Sequence, residues 1–137
     1  MSLILEIVTP DDKIYSEEID HVVVPTANGK IDVLPNHLPI IDKLVAGDLK
    51  VQKEGKTEFL AVNSGFIEVY SDKVSILTDE AIKISDQDAS SIEEAVQRAQ
   101  DALSEGKKSN LDHAAIQKLE ASTRFALAQQ IAKGKSK

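Results

Sequence analysis

Three histidines, His21, His37 and His113, are the side chains best suited to acid–base work or metal ligation near neutral pH. They lie far apart in the chain, and no two of them stand at the spacing of a helical ligand pair. His21 belongs to the strand-like run Glu18-Ile-Asp-His-Val-Val-Val24, where a sheet-surface position is expected. His113 falls near the start of a helical segment, where a hydrated position is expected. With no cysteine in the chain, disulfides, thiolate nucleophiles, Cys-ligated zinc and iron–sulfur clusters are excluded. No phosphate loop, dinucleotide fingerprint, nucleophile elbow or H-E-x-x-H zinc motif occurs. The carboxylates are numerous but spread along strands and helix faces, and a charge-rich face is usually only solvated. No catalytic dyad is nominated, and the expectation is a protein that is not an enzyme, with no catalytic and no metal-binding residues.

The elements that must position any site follow from periodicity. Up to about Ile84 the chain alternates in short apolar runs: Leu3–Val8, Leu49–Lys53, Phe59–Val62, Ile67–Tyr70 and Val74–Leu77. Turn signals separate them at Thr9-Pro-Asp-Asp12, Ala27-Asn-Gly29, Ala46-Gly-Asp48, Glu54-Gly-Lys56 and Ser71-Asp72. Such spacing predicts an all-β sandwich of roughly eight to ten strands over residues 1–84. After Ile84 the period becomes helical. Ala89, Ile92, Ala95, Val96, Ala99, Ala102 and Leu103 share one face. Ser90-x-x-Glu93 fits a capping box, and Asp86 and Asp88 suit a helix N-terminus. Gly106 is expected to end this helix. Ile116, Leu119, Thr123, Ala126, Leu127 and Ile131 line a second helix ending near Gly134, its cap being Ser109, Asn110 or Asp112. Residues 85–137 thus read as an antiparallel helical hairpin.

Charge follows the same division. The 137 residues carry 16 Lys+Arg and 23 Asp+Glu, a net −7. All of it falls in residues 1–84; residues 85–105 carry −5 and residues 106–137 carry +5. A net acidic chain is a poor partner for nucleic acid, which needs clustered positive charge. The longest apolar runs are only four or five residues, so no direct membrane insertion is expected. The opening Met1-Ser-Leu-Ile-Leu-Glu has no basic stretch before its apolar residues, so the chain is expected to stay on the side of the membrane where it is made. The two helices are expected to meet charge to charge across an Ala-rich seam. Alanine buries little area beside leucine, which is worth about 1.5–3 kcal/mol on full burial. The hairpin can therefore be static, packed on the sandwich, or able to detach and dock elsewhere.

The most unusual stretch is Asn28-Gly-Lys-Ile-Asp-Val-Leu-Pro-Asn-His-Leu-Pro39. Two prolines exclude a central strand and predict a rigid, partly exposed loop. It reads either as a docking surface for another protein or as a crossover with His37 bonded to a local carbonyl.

This loop resembles the G-x-I-G-V-L-P-N-H-x-P signature of the ε-subunit family of F-type ATP synthases, the equivalent of the mitochondrial δ subunit. Gly29, Ile31, Val33, Leu34, Pro35, Asn36, His37 and Pro39 match. Asn63-Ser-Gly-Phe-Ile-Glu-Val69 resembles the family's S-G-G-F-x-E-V, and Lys73–Ala81 its V-T-V-L-A-D-x-A; the opening Glu6-Ile-Val-Thr-Pro-Asp11 is also similar. The resemblance implies a non-catalytic rotor subunit of the central stalk, regulatory and peripheral, on the cytoplasmic face of a bacterial inner membrane or in an organelle. Its sandwich would bind the γ subunit and the polar loops of the c-ring, passing proton-driven rotation to γ. Its hairpin would fold down, or extend to the α/β catalytic head and block ATP hydrolysis. Lys30, Ile31, Asp32 and His37 fall in the loop used near γ and the c-ring, with Asp32 in place of the family's Gly. Many bacterial members also hold ATP through [IL]-D-x-x-R-A and further arginines. Here Asp88 is kept, Ser91 stands where the first Arg belongs, Arg98 and Arg124 match two later ones, and Glu120 replaces another. Fewer guanidinium forks mean fewer charge-assisted bonds to phosphate, so no cofactor is expected and ATP binding should be weak or absent. The alternatives are an ATP-sensing hairpin module and an unrelated β-sandwich adaptor.

Overall fold

The computed structural model describes residues 3–84 and 89–135. Ten strands precede two helices: β1 (Leu3–Val8), β2 (Lys13–Ile19), β3 (His21–Thr26), β4 (Gly29–Val33), β5 (Ile40–Leu44), β6 (Gly47–Lys53), β7 (Lys56–Val62), β8 (Gly65–Tyr70), β9 (Lys73–Thr78), β10 (Ala81–Lys83), α1 (Ala89–Lys108) and α2 (His113–Lys135). The strands run in the order β10-β7-β6-β3-β5-β8-β9-β1-β2, with β4 paired to β3. β1 and β9 are parallel; the other pairs are antiparallel. The expected sandwich followed by a helical hairpin is therefore the fold.

Period two decides which side of each strand is buried. Leu3, Leu5 and Ile7 have no exposure, while Ile4 between them is 43% exposed. Val22/Val24, Leu49/Val51, Ile67/Val69 and Val74/Ile76 continue the rule, and all pack into one core. The two ends of the sheet meet across polar contacts. Lys53 Nζ donates to Glu17 at 2.5 Å, and the Tyr15 hydroxyl reaches Glu58 at 3.5 Å. Burial and the two flanking carboxylates push the Tyr15 hydroxyl far above its ordinary pKa, so it stays a donor. The β6–β7 turn is two residues, Glu54 and Gly55, both at positive φ, as a tight hairpin requires. At Gly65 a Cβ would stand 1.9 Å from the Leu77 carbonyl oxygen, so close strand approach there admits only glycine.

Several expectations about local structure need correction. The Asn28–Pro39 segment is not all loop: Gly29–Val33 forms the edge strand β4 on β3, and only residues 34–39 are irregular. The prolines break the strand after Val33; they do not prevent it. Gly106 does not end α1, which runs on to Lys108. Its role is space: a Cβ there would lie 2.6 Å from Leu119 Cδ1 and 3.0 Å from Leu111 Cδ1. The stop comes from Asn110 at φ 54°, with the Leu111 amide bonding the Gly106 carbonyl at 3.2 Å. That is the left-handed helix terminus usually built on glycine. Ser90 is already helical rather than a cap; Asp86 and Asp88 lie outside the described residues. The α2 cap is Asp112, whose Oδ1 accepts from the Ala115 amide at 2.8 Å.

The helices meet along Ile92, Val96 and Ala126, with Ala99 and Leu127 beside them. Ile131, expected in this seam, is 53% exposed. The charged segments do not simply face each other: Arg124 pairs with Glu120 of its own helix, and Lys135 pairs with the sheet.

Candidate functional site

Two surfaces stand out. Among the described residues no group of three His, Asp or Glu side chains could hold a metal ion, and no helix is long and apolar enough to cross a membrane.

The first surface is the outer face of β5, β8, β9 and β1. Register places Lys43, Phe66, Leu77 and Val8 side by side in one row across these strands, with Ile41, Glu68, Ser75 and Glu6 in the next. Phe66 is 57%, Leu77 48% and Ile41 77% exposed. Such positions on a solvated face normally carry polar residues, so a contiguous apolar row marks an interaction surface. A shallow groove of about 560 Å³ opens over Phe66 and Leu77 and continues to Thr9 and Pro10. Charge borders the row. Glu6 accepts from Lys73 at 2.9 Å and from Lys13 at 3.1 Å. Those two ammonium groups, Lys73 first, hold its carboxyl below the ordinary glutamate range.

The 34–39 loop adds Leu34 and Leu38, the latter 79% exposed. The backbone amide of Asn36, a residue at φ 67°, donates to Asp72 Oδ1 at 3.1 Å, which ties the loop to the β8–β9 turn. His37 Nδ1 lies 2.7 Å from the Leu38 carbonyl, so the ring is held locally. The loop is thus a rigid apolar projection and His37 one of its internal braces. Lys30, Ile31 and Asp32 sit on β4 instead. Asp32 meets His21 Nδ1 at 2.9 Å, Ile31 is half-buried against the core, and Lys30 is exposed beside Asp48.

The second surface is the seat of the hairpin. Phe125, Ala128 and Ala132 of α2 bury themselves against Ala61 and Ile84, flanked by Ala46, Phe59 and Ile82. One aromatic side chain carries most of this small contact. Beside it runs a groove of about 420 Å³ lined by residues including Lys30, Asp48, Arg124, Leu127 and Lys135.

Of the residues carried over for nucleotide binding, Arg98 and Arg124 are each engaged within their own helix. Arg98 is exposed on α1, its Nε donating to the Glu94 carbonyl. Arg124 lies 3.8 Å from Glu120 and lines the groove, whose walls do not include Arg98. Asp88 lies outside the described residues. Sequence reasoning missed Phe66, Leu77 and Ile41. The available signal was apolar residues at strand positions whose neighbors on the same face, Glu68 and Glu6, are charged.

Comparison with known proteins bears on both surfaces. The family model for the ATP synthase delta/epsilon chain β-sandwich domain matches residues 2–84. The ATP synthase epsilon chain of Nitratidesulfovibrio vulgaris (strain DP4) is 38% identical over 133 residues, covering 97% of this chain and 96% of that one. The epsilon chain of Pelotomaculum thermopropionicum is 41% identical over 99 residues, 72% of this chain and 74% of its own. A chain in the cryo-EM structure of the Euglena gracilis mitochondrial ATP synthase, OSCP/F1/c-ring in rotational state 1, superposes with a TM-score of 0.73 at 25% identity, covering 96% of this chain and 81% of that one.

Proposed function

This chain belongs to the ATP synthase delta/epsilon family, and on that premise we propose that the apolar sheet face around Phe66 and Leu77 is its docking surface on the γ subunit. The protein is a non-catalytic subunit of the central stalk, between the c-ring and the catalytic head. The observation that carries the docking surface is the exposed row Phe66–Leu77–Val8, bounded by Lys43 and the Glu6 ion pairs. Burying that row against a partner supplies the affinity, and the charged border sets its orientation.

The polar loops of the c-ring meet the end of the sandwich at the β8–β9 turn, where the Leu34–Leu38 loop with His37 projects beyond Asp32 of β4. Residues 1–84 act as the coupling unit and residues 85–137 as the regulatory hairpin. The folded-down hairpin is the resting form; extended, α2 reaches the α/β head and slows ATP hydrolysis. The small seat around Phe125 makes this release affordable in energy. The bacterial relatives support a place at the cytoplasmic face of the inner membrane, peripheral to it.

The test is a binding titration of the intact chain against purified γ. Wild type should bind, and Phe66→Asp with Leu77→Asp should weaken binding at least about tenfold, as expected when a charge enters the center of an apolar interface. Equal binding by the double variant would place the γ contact elsewhere.

A further inference from the structure

Asp48 sits at the start of β6 and is only 8% exposed. Its register partner is Ala61, which forms the floor of the hairpin's seat. A nearly buried carboxylate is costly unless cations or donors compensate it. Two lysines do so from opposite sides. Lys135, at the end of α2, reaches Oδ2 at 3.1 Å, and Lys30, on β4, reaches Oδ1 at 3.5 Å. Both lysine side chains are about half exposed, at 47% and 53%.

We infer that Asp48 is a shared carboxylate through which Lys30 sets how firmly the hairpin is held on the sandwich. The two lysines are not equivalent. Lys135 leaves with the hairpin, whereas Lys30 stays with the sheet. When α2 lifts away, Asp48 keeps Lys30 and is not left unpaired. Lys30 therefore favors the lifted state when its repulsion of Lys135 outweighs the stronger pull that a covered Asp48 exerts on it. In the seated state the two ammonium groups crowd one carboxylate and repel each other. Any anionic or acceptor group on a partner that draws Lys30 away leaves Asp48 dependent on Lys135 and tightens the seat. Release of Lys30 loosens it. The exposed β4 surface and the hairpin are thus coupled through one side chain, with the sign set by repulsion between the two ammonium groups.

The sign makes the inference testable in the full chain, with amide hydrogen exchange of α2 as the readout. Asp48→Asn and Lys135→Gln should each raise exchange of the α2 amides about two- to fivefold, the range of a half-exposed ion pair. Lys30→Gln should lower it by a similar factor. All three differences should shrink at about 1 M salt, where the Debye length falls to about 3 Å. A merely structural lysine at position 30 would loosen the seat or leave it unchanged. Faster or unchanged exchange in Lys30→Gln, or no response to Asp48→Asn and Lys135→Gln, overturns the inference. It rests on a hairpin that lifts separately from the sandwich. Exchange of α2 and β7 amides at one common rate would remove that premise, whereas distinct rates that ignore the variants would remove the shared carboxylate alone.

Discussion

Replacing Phe125 by alanine tests the seat of the hairpin most sharply. Phe125 is 5% exposed and is the one large α2 side chain in the cluster with Ala61, Ile84, Ala128 and Ala132. The alanines around it leave few atoms that could collapse into the vacated space. Burial of phenylalanine relative to alanine is worth about 3–5 kcal/mol in a core. Its own helix covers part of the ring in either state, so about 3 kcal/mol is the share that depends on docking. That shifts the lifted-to-seated ratio roughly a hundredfold. Because the chain has no cysteine, spin labels can be placed at Lys56→Cys and Ser122→Cys without background. Pulsed electron spin resonance should show a single short distance in the parent and a broad longer population in Phe125→Ala. Ile131→Ala, at a 53% exposed position on the same helix, should leave the distribution unchanged. An unchanged distribution in Phe125→Ala, or an equal response to both substitutions, would refute the assignment of the docking energy to this one ring.

Other expectations follow from the geometry. Gly65→Ala should lower the urea midpoint of the sandwich by an amount equivalent to at least about 1–3 kcal/mol, since the new Cβ meets the Leu77 carbonyl rather than a yielding side chain; an unchanged midpoint would show that β8 and β9 can separate freely. The carboxyls of Glu6 and Glu17 are both held below the ordinary value of 4.5, through Lys73 and Lys13 for Glu6 and chiefly through Lys53 for Glu17. The unfolded chain therefore binds these protons first. Their stabilization is complete above 4.5 and is lost as pH falls below that value through the folded pKa. Denaturation midpoints should drop over that interval, and Glu6→Gln should make the drop shallower; a steeper drop would reverse the sign. ATP titrated calorimetrically into the intact chain should give no micromolar binding, because Ser91 and Glu120 stand where guanidinium groups are needed and Arg124 is paired with Glu120. Heat fitting a single micromolar site would refute this.

How far the sequence reveals these features depends on what each one rests on. Strands such as Leu3–Val8 and Val74–Leu77 declare themselves because burial alternates with pleat. β5 is concealed because Ile40 and Ile41 are adjacent apolar residues, one half-buried and one at the docking face. The seam between the helices follows from the period of α1. The second face of α2 does not, because its seat consists of one phenylalanine and two alanines, which carry almost no periodic signal. Gly106 reads locally as a helix stop. Its true role depends on Leu111 and Leu119 arriving from the following turn and helix, which no local pattern records. Asp48 reads as a turn residue for the same reason, since both of its lysines are distant in the chain. The loop signature led to the family, yet the apolar row that supports docking lies mostly outside it.

As proposed, this chain couples the stalk through its sandwich and restrains hydrolysis through its hairpin. The most direct measurement replaces the epsilon chain of a bacterial ATP synthase with this one, intact or ending at Ile84, and follows ATP hydrolysis and ATP-driven ion pumping together. Both forms should assemble and sustain pumping, and the shortened form should hydrolyse ATP faster. Failure of the intact chain to assemble or restore pumping would contradict the coupling role, and equal hydrolysis by the two forms would contradict the hairpin's restraint.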